Sequence, residues 1–212
     1  MKKMMFNDRY GLTQAVIKER KTVTRRIVSD KLWDRWTDYD DFCNSVSCGP
    51  TTPVSRQYHN EFEFFKDNLP YKVGEIVAVA QCYADIHSEL MIGDFGDASY
   101  DSFKNAVVHD KAGWHNKMFV QADLMPHQIR ITSVRPERLQ DITDEDCIKE
   151  GIFEEPFPFG EGYCFDPIFP RCHKTNFNTP REAFASLMDK ISGRGTWERN
   201  PFVWRVEFKL VK

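Results

Sequence analysis

Asn200-Pro201-Phe202-Val203-Trp204-Arg205-Val206-Glu207-Phe208-Lys209-Leu210 is the stretch on which the fold turns. Phe202, Trp204, Val206, Phe208 and Leu210 alternate with Val203, Arg205, Glu207 and Lys209, the period of two that marks a strand. Upstream, His127-Gln128-Ile129-Arg130-Ile131-Thr132-Ser133-Val134-Arg135 alternates in the same way, with Ile129, Ile131 and Ser133 on one side. The turn Tyr71-Lys72-Val73-Gly74-Glu75 leads into Ile76-Val77-Ala78-Val79-Ala80-Gln81-Cys82-Tyr83, an apolar run typical of a buried strand. In Lys21-Thr22-Val23-Thr24-Arg25-Arg26-Ile27 the β-branched residues suggest a strand or a tight loop entering one.

Between these segments the helix signals are local. Leu12, Ala15, Val16 and Ile17 predict a helix over 8–20, capped by Asn7. Thr143 at the N-cap, acids in the first turn with Asp146 at N3, and Gly151 at C′ bracket a second. Thr179-Pro180-Arg181-Glu182 is a capping box with proline at N1. It opens a helix expected to bury Ala183, Phe184, Leu187, Met188 and Ile191 and to stop near Gly193. Residues 29–70, 84–126 and 153–178 read as long loop insertions. Strands outnumber helices and do not follow βαβ spacing, so a doubly wound sheet is not expected. The expectation is a single α+β domain over residues 1–212, built on a small, mostly antiparallel β-barrel with flanking helices.

Composition narrows the function classes. A chain of 212 residues buries roughly 70% of its unfolded surface and needs no disulfide or metal staple. Hydrophobic residues at 41% and aromatics at 14% exclude a disordered polar chain. No run of about 18 apolar residues is present, so no membrane span is expected. The start, Met1 to Asp8, lacks the apolar stretch of a secretory signal, and a cytoplasmic location is expected. A net charge of -3 argues against long nucleic acid as the main ligand and for a small or pocketed one. The six cysteines read as reduced thiols. Cys43, Cys48, Cys164 and the Cys172-His173 pair are spaced too loosely for a structural zinc site, and the six histidines lack paired spacing. No metal and no cofactor are expected.

The chemistry concentrates near residue 21. Lys18, Arg20, Lys21, Arg25 and Arg26 surround Thr22 and Thr24, against Glu19 as the one acid. A solvated helix end, its cations facing the helix dipole, is one reading. The other is a cleft in which Lys21 deprotonates a threonine hydroxyl or the arginines hold phosphate.

Lys21-Thr22-x-Thr24-x-Arg26 after an N-terminal helix resembles the signature of ASCH-domain proteins, relatives of the PUA fold. Tyr71–Glu75, the run from Arg135-Pro136-Glu137 to Asp141-Ile142, Lys149-Glu150-Gly151-Ile152 and Asn200–Phe208 are similar, in order, to segments of the larger phage- and prophage-type members. The resemblance implies a PUA-like barrel with a cleft beside the Lys21 loop, and the host cytoplasm as location if the chain is phage-encoded. Family members act on RNA or nucleotides. The small bacterial members that remove acetyl from N4-acetylcytidine use a lysine, a threonine and a glutamate, which match Lys21 as proton acceptor, Thr24 as nucleophile and Glu150 as proton donor. Arg20, Arg25, Arg26, Gln81 and Arg130 are the candidate ligand-binding residues, with a modified nucleoside or short RNA as partner. The chain departs from the family pattern at Glu19, where glycine is usual, and at Ala80-Gln81-Cys82, where the family often has Arg-Glu-Thr or similar.

Amide cleavage needs a nucleophile, a base in hydrogen-bond reach and an acid for the leaving amine. Lys21 and Thr24 are three apart, so a regular strand would send them to opposite faces. A shared site therefore predicts non-strand backbone at 21–24, with Lys21, Thr24 and Glu150 converging within about 6 Å. The alternative is a non-catalytic RNA or DNA binding module, or a metal-independent ribonuclease, with the arginines on phosphates and Trp33, Trp36, Tyr39 and Tyr58 stacking on bases.

Overall fold

A computed structural model of the chain describes residues 1–47, 56–92, 103, 112–157, 160–165 and 177–211. In order these form β1 (Lys2–Met4), α1 (Leu12–Ile17), β2 (Val23–Ile27), α2 (Asp30–Ser47), α3 (Glu61–Asp67), β3 (Ile76–Val79) and α4 (Tyr83–Ile92). There follow β4 (Gln128–Arg138), α5 (Asp144–Lys149), β5 (Phe153–Phe157), β6 (Gly160–Cys164), α6 (Pro180–Ser192), α7 (Thr196–Arg199) and β7 (Phe202–Val211).

The fold is mixed α+β. Five strands form one sheet in the order β1-β3-β4-β7-β2, antiparallel except for the β1–β3 pair, and β5 and β6 form a separate hairpin. Among the described residues no pairing joins β1 to β2, so the sheet is open where a closed barrel was expected. The long closing strand β7 is central, with β4 on one side and β2 on the other. A bulge between Ile131 and Ser133 ends the clean alternation expected of Ile129, Ile131 and Ser133. β2 is an edge strand, and this placement governs the site.

The caps form where their residues stand. The Thr143 hydroxyl accepts from the Asp146 backbone N–H, and the Thr179 hydroxyl accepts from that of Glu182. Gly151 takes φ 103°, the left-handed backbone that closes α5. Other expectations are corrected. Asn7 makes no side-chain cap, and a 3-10 turn over Asp8–Tyr10 precedes a helix confined to Leu12–Ile17. Ile191 is exposed, because it stands in the last turn of α6, beyond the part of the helix that the core covers. The apolar run at 76–83 ends as a strand at Val79, and Tyr83 starts α4.

The insertions hold structure too, so helices are as numerous as strands among the described residues. Residues 30–47 form one long helix whose stripe Leu32, Trp36, Tyr39 and Cys43 packs inward. Trp36 and Tyr39 meet Phe64 of α3, and Phe65 meets Trp33, Phe202 and Trp204. The aromatics expected to stack on bases therefore largely pack on one another. Phe65→Ala should cost about 3–5 kcal/mol, since Phe65 is wholly buried, whereas Phe42→Ala, at 60% exposure, should stay within about 0.5 kcal/mol. Urea denaturation midpoints of the two variants check this.

Candidate functional site

The turn after α1 sets the first wall of the site. Arg20 and Lys21 both donate their backbone N–H to the Ala15 carbonyl, which folds the chain back before β2 begins. Lys21 and Thr22 lie outside the strand while Val23 and Thr24 lie within it, so the expected non-strand segment is half as long as foreseen. Thr22 then donates its backbone N–H to the Lys149 carbonyl at 2.9 Å, and Lys21 Nζ donates to the Glu150 carbonyl at 2.7 Å. Both bonds satisfy carbonyls that the end of α5 leaves without helical partners. The turn and the helix end are thereby fastened together.

Within that junction Lys21 Nζ also bonds Glu150 Oε2. Lys21 is 2% exposed and Glu150 3%. Burial is the largest influence on Lys21 and pushes its ammonium below the ordinary lysine value, with Arg26 and Arg25 adding to the effect and Glu150 opposing it.

Beside this pair stands a lattice of buried charge. Arg25 on β2, Arg205 on β7 and Arg135 on β4 are directly opposite one another in register, hence on one face of the sheet. Three like charges in a row are tolerable only if carboxylates answer them. Arg25 places Nε 2.7 Å from Glu137 Oε1, Nη2 2.7 Å from Asp146 Oδ2 and Nη1 3.2 Å from Glu150 Oε1. Arg205 grips Asp146 with Nε at 2.8 Å and Nη2 at 3.0 Å, and also bonds Glu207. Burial alone would raise the Asp146 carboxyl, but the hydrogen bonds from Arg205 and Arg25 outweigh it and hold it well below the carboxylate range. Burial pushes the neighbouring Cys147 thiol up to about 12, which leaves it without thiolate character at neutral pH.

Lys21, Thr24, Arg26 and Glu150 line one cleft of about 330 Å3, walled on its far side by Phe184, Leu187 and Met188 of α6. The Thr24 side chain lies on the sheet face opposite that of Arg25, and the cleft reaches both faces around the edge of β2. Arg26 bonds the Met5 carbonyl through Nη2 at 2.6 Å and lies over the Phe6 ring. Its Nε is covered with no hydrogen-bond partner among the described residues.

The remaining candidates are elsewhere. Arg20 is exposed, lies over Phe153 and lines a separate cavity of about 590 Å3 with Asp144, Glu145 and Tyr163. Gln81 is buried and donates to Glu89 at 2.9 Å, with its own carbonyl oxygen unpartnered among the described residues. Arg130 is exposed on β4 beside Ile76 and Lys209. Among the described residues no group of His, Cys, Asp and Glu is placed to hold a metal ion, and Cys48, Cys172 and His173 lie outside them. No helix among them is long and apolar enough to cross a membrane. Glu137, Asp146 and Arg205 were not foreseen. Their signal was present as charged residues inside strands and a helix that had to be buried.

No known protein family, curated protein or solved structure matches the chain.

The lattice makes an acid-sensitivity prediction. A carboxylate whose folded value is depressed stabilises the fold fully above its unfolded value of about 3.9, and that stabilisation is lost as pH falls toward the folded value. Asp146→Asn should cost about 3–5 kcal/mol at neutral pH by leaving buried arginine charge unanswered. It should also flatten the fall of stability between about pH 5 and pH 2. Denaturation midpoints across that range measure both effects.

Proposed function

We propose that the chain is an ASCH-like hydrolase that cleaves the amide of an N-acylated nucleobase or nucleoside, of the N4-acetylcytidine type, in the cleft beside β2. The observation that carries this reading is the buried Lys21–Glu150 pair sharing one cleft with the Thr24 hydroxyl. A cleft of about 330 Å3 matches a small ligand. The backbone at Glu19 adds support: it has φ 57°, a conformation that glycine takes without strain, and glycine is usual there in the family that the sequence resembles. Under this reading the PUA-like architecture is an opened variant in which β2 and β1 are the two edges.

The Lys21–Glu150 hydrogen bond lets one proton serve two roles. With the proton on Glu150, Lys21 is a free amine and the carboxyl is an acid. Thr24 Oγ attacks the acyl carbon and gives its proton to Lys21 Nζ. The C–N bond then breaks, and Glu150 protonates the leaving amine, leaving an acyl-Thr24 ester. Water attacks that ester as Glu150, now a carboxylate, takes its proton, and Lys21 returns a proton to Thr24 as the acid departs. The pair ends as it began. Arg26, which lines the same cleft, supplies a cation for the developing oxyanion.

A phosphate-binding surface is less well supported. Arg25 already faces three carboxylates, and Arg20 and Arg130 do not line this cleft.

Purified protein should release cytidine from N4-acetylcytidine. Thr24→Val and Lys21→Ala should each lower the rate by at least about a hundredfold with the fold retained by circular dichroism. Absence of turnover by the wild-type protein, or equal turnover by Lys21→Ala, would contradict the assignment.

A further inference from the structure

Four consecutive residues, Thr24, Arg25, Arg26 and Ile27, line the cleft. Side chains alternate along a strand, so four in a row can border one cavity only if the strand presents its backbone edge to it. The hydrogen-bond parity identifies which groups that edge offers. Phe208 donates its backbone N–H to the Thr22 carbonyl, and Val28 donates to the Phe202 carbonyl. With Thr24 opposite Val206 and Arg26 opposite Trp204, the even-numbered residues are the ones that bond β7. The N–H and C=O groups of Val23, Arg25 and Ile27 therefore point away from β7, and they have no hydrogen-bond partner among the described residues. Val23 is 2% and Arg25 6% exposed, an unusual setting for unpaired backbone groups, which are nearly always satisfied when buried. The covered, unpartnered Nε of Arg26 adds one more unsatisfied donor in the same cleft.

We infer that the free edge of β2 is the base-reading element of this site. Its ligand is a planar heterocycle carrying a donor beside an acceptor on one edge, as a pyrimidine does with its exocyclic N–H next to a ring nitrogen. Arg25 C=O accepts from the exocyclic N–H and Ile27 N–H donates to the ring acceptor, the neighbouring groups that the strand edge presents. Arg25 N–H lies on the Thr24 side of that carbonyl, toward the substituent on the exocyclic nitrogen. Phe184, Leu187 and Met188 of α6 close over the flat face. The exocyclic nitrogen is thus at the Arg25 end of the ligand, nearer Thr24 than the ring acceptor is, and an acyl group on it is directed toward Thr24. Selectivity for the base thus resides in main-chain atoms, which explains why no side chain of the sequence announces it. The inference rests on the nucleoside reading of the cleft.

The probe is cytidine, the expected product, with wild-type protein, Ile27→Pro and Ile27→Ala. Proline removes a single free-edge N–H, that of position 27, while leaving the β7 ladder intact, since position 27 does not bond β7 and Arg26 is already extended. Alanine controls for the lost side chain. Amide exchange by NMR should be fast at Arg25 and Ile27 and slow at Thr24 and Arg26 in the free protein, and cytidine should slow Ile27 at least tenfold. Ile27→Pro should bind cytidine about five- to tenfold more weakly than Ile27→Ala, the worth of one hydrogen bond. Cytidine binding with unchanged exchange at Ile27, and equal affinity of the two variants, overturns the edge inference alone. No binding of cytidine by the wild-type protein overturns it together with the nucleoside reading.

Discussion

Arg25 is the constraint around which the site is organised. Its guanidinium reaches Glu137 on β4, Asp146 inside α5 and Glu150 at the end of α5. A buried cation of this kind is tolerated only when each of its hydrogen-bonding directions is filled, because taking an ion out of water costs several kcal/mol. Three buried cations, Lys21, Arg25 and Arg205, stand against three buried carboxylates, Glu137, Asp146 and Glu150, so the junction is neutral as a whole. Neutrality by this route fixes α5, only six residues long, at one height over the sheet. A helix that short has little stability of its own, so the ion pairs and the Thr143 cap set its position.

The same junction determines what the cleft can do. Because Arg25 occupies Glu150 Oε1, the other oxygen, Oε2, is left to Lys21. Lys21 in turn caps the Glu150 carbonyl, so its ammonium is held at the helix end and away from water. Capping and catalysis are compatible here: a lysine immobilised as a helix cap is also one whose proton is loosened by burial and by two nearby arginines. Thr24 borders the same cleft as the pair, on the edge of β2 to which no further strand pairs among the described residues.

Much of the fold was legible where a residue's own chemistry determines its backbone. Thr143, Gly151 and the Thr179-Pro180 pair mark the helix ends that form, and the alternation of Phe202 to Leu210 marks the central strand. Residues 30–47 were illegible for a physical reason. Asp, Asn, Ser and Trp are poor helix formers, and they obscured the stripe Leu32, Trp36, Tyr39 and Cys43, which packing on α3 makes decisive. The open sheet was illegible because closure depends on whether two edge strands meet, which no local pattern encodes. In the site, Lys21, Thr24, Glu150 and Arg26 come to one cleft, whereas Arg20, Gln81 and Arg130 lie away from it. The partnership of Arg25 and Arg205 with Asp146 depends on strand register and spans up to 121 residues of chain. Period-two alternation shows Arg205 as outward-facing, and only the arrival of α5 on that face makes it buried.

The central claim is that burial loosens the Lys21 proton enough for the amine to act as a base. Side-chain NMR of labelled lysine, followed through a pH titration of the folded protein and assigned with Lys21→Arg, measures it directly. The account predicts a Lys21 midpoint below the ordinary lysine value of about 10.4. A midpoint at or above that value would mean that Glu150 holds the ammonium as a permanent ion pair, and Lys21 would then be a helix cap and nothing more.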